Sequence, residues 1–198
     1  YYGSIYEPYQ RYRLERSVQP REYRIIFTDK FVCYQLCQAS GLPLPEQYGV
    51  IEPGAEALEI LHDLIMRQPE KKIIVKPSNG RDGRGIVLAY QDGGEAIIET
   101  KTGKMPLRQF LLTERSVMQE LLEPHRDLSA VSSSICSVRI VTLLTPEREV
   151  VIVGAQMRLS VGDTYTDGAI GIGIDVAKGV FMEKGFDRSG RFYLRHPD

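Results

Sequence analysis

Apolar positions recur along this chain in two rhythms, and the change from one to the other divides it. From Ala55 to Arg67 they fall at Leu58, Leu61 and Ile65, with Ala57, Ile60 and Leu64 widening the stripe, which is the period of an amphipathic helix. His62 on that helix reads as a surface residue. A second helix is expected from about Lys30 to Ser40, because Thr28 and Asp29 can cap its start while Gly41 and Pro43 supply stop signals. A proline-spaced connector then leads to a short extended segment at Tyr48–Ile51. Elsewhere the apolar residues come in short β-branched runs. Ile73–Val75, Ile86–Tyr90, Ala96–Glu99, Ser116–Glu120, Ser137–Leu144, Val150–Leu159 and Ile170–Val176 are predicted strands. Turns are expected at Asp92–Gly94, Thr102–Lys104 and Thr145–Arg148, a short helix from Pro106 to Leu111, and a hairpin around Arg188–Gly190. Helices in the first third followed by a strand-rich remainder predict an α+β fold.

Composition narrows the function classes. The chain has 198 residues and a formal net charge of −1, so it can hold one sizeable core or two smaller ones. That balance gives no broad electrostatic case for nucleic acid or a membrane surface as partner. The longest apolar runs are too short to span a bilayer. Three cysteines, an odd number, do not suggest a disulfide framework, and a reducing, cytoplasmic setting is the expectation. Cys33 and Cys37 share a helix face and are expected as a buried pair. Cys136 is expected in a strand with the same role. The first residues lack an initiator methionine and the last form no terminating element, which reads as a piece of a longer protein.

The densest chemistry lies at Lys76-Pro77-Ser78-Asn79-Gly80-Arg81-Asp82-Gly83-Arg84-Gly85-Ile86. A strand enters it and another leaves it, with a lysine at the end of the first. Glycines let a backbone approach a ligand closely, and successive N–H groups in such a turn can cradle phosphate oxygens. The strand that follows argues against the P-loop and dinucleotide-binding designs, which set phosphate at a helix N-terminus. A tight hairpin with solvated charges is the competing reading.

The spacing Lys-Pro-x-x-Gly-x-x-Gly-x-Gly-aliphatic resembles the nucleotide-covering loop of the ATP-grasp superfamily. Three further features follow in that superfamily's order. Thr28-Asp29-Lys30, with its helix and Gly41-Leu42-Pro43-Leu44-Pro45, resembles the segment of the first ATP-binding lysine. Val117 to Leu122 resembles the hinge strand that meets adenine. His125, Ser137 to Thr142, Arg158 and His196-Pro197-Asp198 resemble a narrower group, the sugar-transfer-associated ATP-grasp proteins related to α-L-glutamate ligases. The match runs from about Arg11 to the last residue. It implies two α+β subdomains clasping nucleotide, with residues 1–27 ending a preceding subdomain, 28–122 forming the glycine-loop subdomain and 123–198 an incomplete C-terminal one.

The resemblance also implies roles. Lys30 and Lys76, read as entering one cleft from separate subdomains, would neutralise phosphate charge, as compact mobile cations can. Gly80, Gly83 and Gly85 would let the loop fold over phosphate, with Arg81 or Arg84 able to close on the γ-phosphate. Glu120 to Glu123, including Leu122, would supply the adenine hinge. Asp127 would accept from ribose hydroxyls, or else be a solvated acid near a helix start. Arg139 and Arg158, on neighbouring strands of Ile, Val and Leu, would bind a substrate carboxylate or the acyl phosphate. A salt bridge to Asp163 or Asp175 is the alternative for them. Asp167 lies in a loop that can face the cleft.

Three departures qualify the match. Cys136 and Ser137 stand where the group has asparagine and threonine, and Asp167-Gly168-Ala169-Ile170-Gly171 differs from its Asp-Asn and paired glycines. The superfamily's magnesium ligands, an acid and a Glu-x-Asn element, have no counterpart before Asp198, so the metal residues stay unassigned. The implied function is an ATP- and Mg2+-dependent carboxylate–amine ligase. It would act on a small-molecule or glycan-linked carboxylate, with work on cell-surface polysaccharide suggested by the family name. A non-catalytic nucleotide-binding regulator and a small-molecule kinase on the same fold are the rivals.

Overall fold

A computed structural model describes residues 7–18, 21–80, 83–129, 135–160, 170–187 and 189–195. The chain divides into two compact units, 1–121 and 122–198.

The first unit opens with helices α1 (Pro8–Val18) and α2 (Arg24–Thr28), joined through a 3-10 turn at Arg21–Tyr23. Neither was expected: the tyrosine- and arginine-rich α1 has no apolar period, and the five-residue α2 is too short for Ile25, Ile26 and Phe27 to show one. Helix α3 (Lys30–Ala39) starts at Asp29, whose side chain accepts from the N–H groups of Phe31 and Val32. It ends where Gly41 takes a left-handed φ of 70°. Strand β1 (Gln47–Ile51) and helix α4 (Ala55–Arg67) follow, the helix with the predicted bounds. Strands β2 (Ile73–Pro77), β3 (Val87–Asp92), β4 (Glu95–Thr100), β5 (Gly103–Pro106) and β6 (Ser116–Glu120) complete a six-stranded sheet in the order β1-β6-β2-β3-β4-β5. Two local expectations fail here. Gly103 and Lys104, expected in a turn, pair with Thr100 and Glu99 as part of β5, and the helix after Pro106 is one 3-10 turn at Leu107–Gln109.

Alternation along the strands gives this sheet two faces. Ile73, Val75, Val87, Ala89, Ile98 and Met118 join Ala57, Leu61 and Ile65 of α4 in one core. The opposite face carries Ile74, Lys76, Leu88, Tyr90, Val117 and Gln119, as the β2–β6 and β2–β3 registers require. Lys76 is therefore on the face turned away from α4.

The second unit is an antiparallel sheet in the order β11-β10-β9-β8-β7. Its strands are β7 (Ser137–Leu144), β8 (Val150–Leu159), β9 (Ile170–Asp175), β10 (Val180–Asp187) and β11 (Phe192–Tyr193). The hairpin expected around Arg188–Gly190 joins the last two, with Gly185 and Phe186 opposite Tyr193 and Phe192. Cys136 sits just before β7 rather than in a strand, and all three cysteines are half-buried rather than core residues. No helix among the described residues is long and apolar enough to cross a membrane.

Candidate functional site

In the first unit the glycine-rich loop and the start of α3 are stitched together. The backbone N–H of Lys30 donates to Ser78 O at 2.9 Å, and Ser78 N–H donates to Arg115 O at 2.8 Å. The Lys30 ammonium donates to the carbonyl oxygens of Pro77 at 2.6 Å, Gly80 at 2.8 Å and Ser78 at 3.4 Å. Its side chain thus braces the base of the loop. Both lysines belong to this unit. They do not come from separate subdomains, because the α3 start docks directly on the segment that follows β2.

Beneath this contact lies a buried acid. Asp29 is only 6 % exposed. Its Oδ1 accepts from Phe31 N–H at 2.8 Å, Val32 N–H at 3.2 Å and the Ser78 hydroxyl at 2.9 Å. Its Oδ2 accepts from the Arg115 guanidinium at 2.9 Å. Arg115 also reaches Glu52 at 2.9 Å and lies over the Phe31 ring. Burial by itself pushes the Asp29 carboxyl up, but the bonds from Val32, Ser78 and Phe31 and the Arg115 charge together hold it below its ordinary value. Sequence reasoning saw in Asp29 only a cap. Ser78 lies 49 residues away and Arg115 86, so no local pattern announces them.

The two lysines differ in their surroundings. Burial pushes Lys30 below the ordinary lysine value, opposed by the charges of Asp29 and Glu114. Burial also lowers Lys76, and there the neighbouring Lys30 charge pushes the same way. Among the described residues no carboxylate lies within ion-pair distance of Lys76. Two cations thus sit near each other, and among the described residues Lys76 has no counter-charge.

The loop glycines answer first to the loop itself. Gly83 and Gly85 take left-handed φ values of 68° and 70°. A Cβ on Gly80 would lie 3.2 Å from Pro77 Cβ, and one on Gly85 would lie 2.8 Å from Pro77 Cγ. A side chain at Gly85 would thus collide with the Pro77 ring, and one at Gly80 would crowd it. Arg81 and Asp82 lie outside the described residues.

The remaining positions are spread over both units. Glu120, half-buried at the end of β6, donates its N–H to Glu46 O at 2.9 Å. Leu122 begins the second unit and is exposed. Asp127 lies in an exposed turn, where its carboxylate faces Arg126 at 3.3 Å and its N–H donates to His125 Nδ1.

Arg139 and Arg158 share one face of the second sheet. Arg139 is opposite Gln156, and Ser137 is opposite Arg158, so the two arginines are diagonal neighbours. Gly171 and Gly173 continue this face on β9, opposite Arg158 and Gln156. A Cβ on Gly171 would press on Gln156 Oε1 at 3.0 Å, so the glycine makes room for that amide. The other face holds an apolar cavity of about 300 Å3, lined by Met157, Leu159, Ile170, Ile172 and Phe181 among others. Asp175 is engaged locally, accepting from Ala177 and Lys178 N–H and facing the Lys178 ammonium at 3.4 Å. Asp163, Asp167–Ala169 and His196–Asp198 lie outside the described residues. Among the described residues no three His, Cys, Asp or Glu side chains gather where they could hold a metal ion.

A family model described as sugar-transfer associated ATP-grasp matches residues 9–198. No curated protein matches the chain. No solved structure matches it either.

Proposed function

The chain belongs to the sugar-transfer associated ATP-grasp family, and from that membership, which implies nucleotide binding, we propose that it is the ATP-binding part of a carboxylate–amine ligase. The observation that carries the reading is Lys76, a half-buried cation set beside a second lysine at the base of a glycine-rich loop, with no carboxylate among the described residues to neutralise it. An anion with several charged oxygens fits such a place, because it relieves repulsion between the lysines and accepts from loop N–H groups. On this reading 28–122 is the glycine-loop subdomain and 123–198 the one that meets substrate. Lys30 and Lys76 hold phosphate charge, and Gly80, Gly83 and Gly85 keep side chains out of the loop's path. Glu120 and Leu122 flank adenine, and Asp127 accepts from the ribose.

The face bearing Arg139 and Arg158 takes the substrate carboxylate. Carboxylate oxygen attacks the γ-phosphorus, the bond to the β-phosphate oxygen breaks and ADP leaves. An amine then adds to the acyl carbon, loses a proton and expels phosphate. Lysines and arginines contribute by holding charge where it develops and by orienting the reactants. Magnesium belongs to this chemistry; among the described residues no three acidic, His or Cys side chains gather, and none is assigned to the metal.

Calorimetric titration of ATP, with and without Mg2+, into the chain and into Lys76→Ala tests the nucleotide site. Binding that drops at least about 10-fold in the variant, the loss of one charge-assisted contact, supports it. ADP formation that requires both a carboxylate and an amine identifies a ligase. A stable phosphorylated product without amine identifies a kinase, and binding without turnover a regulator.

A further inference from the structure

We propose that Asp29 is a positioning residue for the lysine pair: its carboxylate ties the start of the Lys30 helix, the segment after Lys76 and the Arg115 strand lead-in into one unit, which holds the two cations side by side. The inference rests on the nucleotide reading above and deepens it. A helix cap alone needs one side-chain oxygen facing one or two N–H groups, and such caps ordinarily stand in water. Here the carboxylate is 6 % exposed and takes four donors from three separate stretches of chain. Oδ1 serves the helix and Ser78 together, and Oδ2 serves Arg115.

The geometry gives this acid leverage on its neighbours. Ser78 stands two residues beyond Lys76, and its carbonyl receives both the Lys30 N–H and, at 3.4 Å, the Lys30 ammonium. Its hydroxyl goes to Asp29. One residue, Ser78, is thus held on its N–H, its carbonyl and its hydroxyl, and two of those contacts come from residues 29 and 30. Like charges brought together in a half-buried place repel, so the scaffold must hold them there. The lowered titration of Lys76, caused by burial and then by Lys30, is what such an enforced approach produces.

The test compares the full chain with Ser78→Ala, which keeps the helix cap, and with Asp29→Asn, which keeps the cap and removes the charge. Affinities for ATP, inorganic tripolyphosphate and adenosine are measured by calorimetry. The Lys76 ammonium is titrated by lysine side-chain NMR. Expected are 5- to 20-fold losses for ATP and tripolyphosphate, about one hydrogen bond's worth or two. Adenosine affinity stays unchanged, and the Lys76 midpoint moves up toward the ordinary lysine value. Unchanged tripolyphosphate affinity with an unchanged Lys76 midpoint overturns the inference, as does an equal loss for adenosine, which marks general damage. If the parent chain binds neither ATP nor tripolyphosphate, the nucleotide reading fails. The Lys76 midpoint then still decides whether Asp29 sets the lysine pair.

Discussion

Lys76 occupies a position that works against its own charge. Burial disfavours the ammonium, the Lys30 charge disfavours it further, and no carboxylate among the described residues offsets either. Its folded pKa is lowered, so the unfolded chain holds the proton more tightly. The destabilisation is complete at pH below the folded value and is relieved as pH rises through it toward the ordinary 10.5. Lys76→Met keeps the stem, removes the charge and is expected to stabilise the nucleotide-free chain by about 1 kcal/mol, or roughly 2–4 °C in Tm. On the proposed function the same variant is expected to lose ATP affinity. Calorimetric melting at pH 6 and pH 10 checks the sign, since the gain shrinks at the higher pH. Lys76 was legible in the sequence because its spacing to three glycines is a local fact. Asp29 was legible only as a cap, since its two other partners become neighbours through folding.

Among the elements, those whose pattern is local and periodic came out with close bounds. Helix α4 and strands β6, β7 and β8 have the limits their apolar rhythm predicts. Elements held by their neighbours were harder to see. β5 exists because its residues complete the edge beside β4, which overrides the turn propensity of Thr102-Gly103-Lys104. Helix α1 carries tyrosines and arginines without a stripe, and Tyr12 is clasped by Arg16 and Arg21 at 3.1 Å each. The loop between β2 and β3 shows a glycine pattern chosen by packing as well as by any ligand. Gly85→Ala meets Pro77 at 2.8 Å and must adopt φ near 70°, a left-handed conformation. It is expected to cost about 1–3 kcal/mol in urea unfolding of the first unit. Gly93→Ala, at a similar φ of 57° but with no atom within 4 Å of the added carbon, is the control and costs about 1 kcal/mol.

At the scale of the whole molecule, the two units differ in how they use apolar residues. The first packs a core between sheet and α4, with Ile25, Phe27 and Leu111 left exposed outside it. In the second, the β7–β8 hairpin leaves Ile140, Val141, Leu143, Leu144 and Val150–Val153 between 45 % and 69 % exposed. Contiguous apolar surface of this kind associates. The chain is expected to bind a hydrophobic dye and to self-associate with rising concentration, as followed by light scattering. Leu144→Lys with Val150→Glu places opposite charges on directly facing residues and is expected to lower both signals, while leaving ATP affinity within about twofold. The strands themselves were visible in the sequence. Their exposure was not, because a run of Ile, Val and Leu reads the same whether something covers it or not.

The stitching of Lys30, Ser78 and Arg115 has a consequence in time. The Asp29 contacts span 49 and 86 residues, so the anchored lysine pair is a property of no short segment. A chain emerging from the ribosome has both lysines outside well before it has Arg115, and until then Asp29 lacks its guanidinium. The anchored lysine pair is therefore among the last features of the first unit to be made, and it reports that the six-stranded sheet has closed.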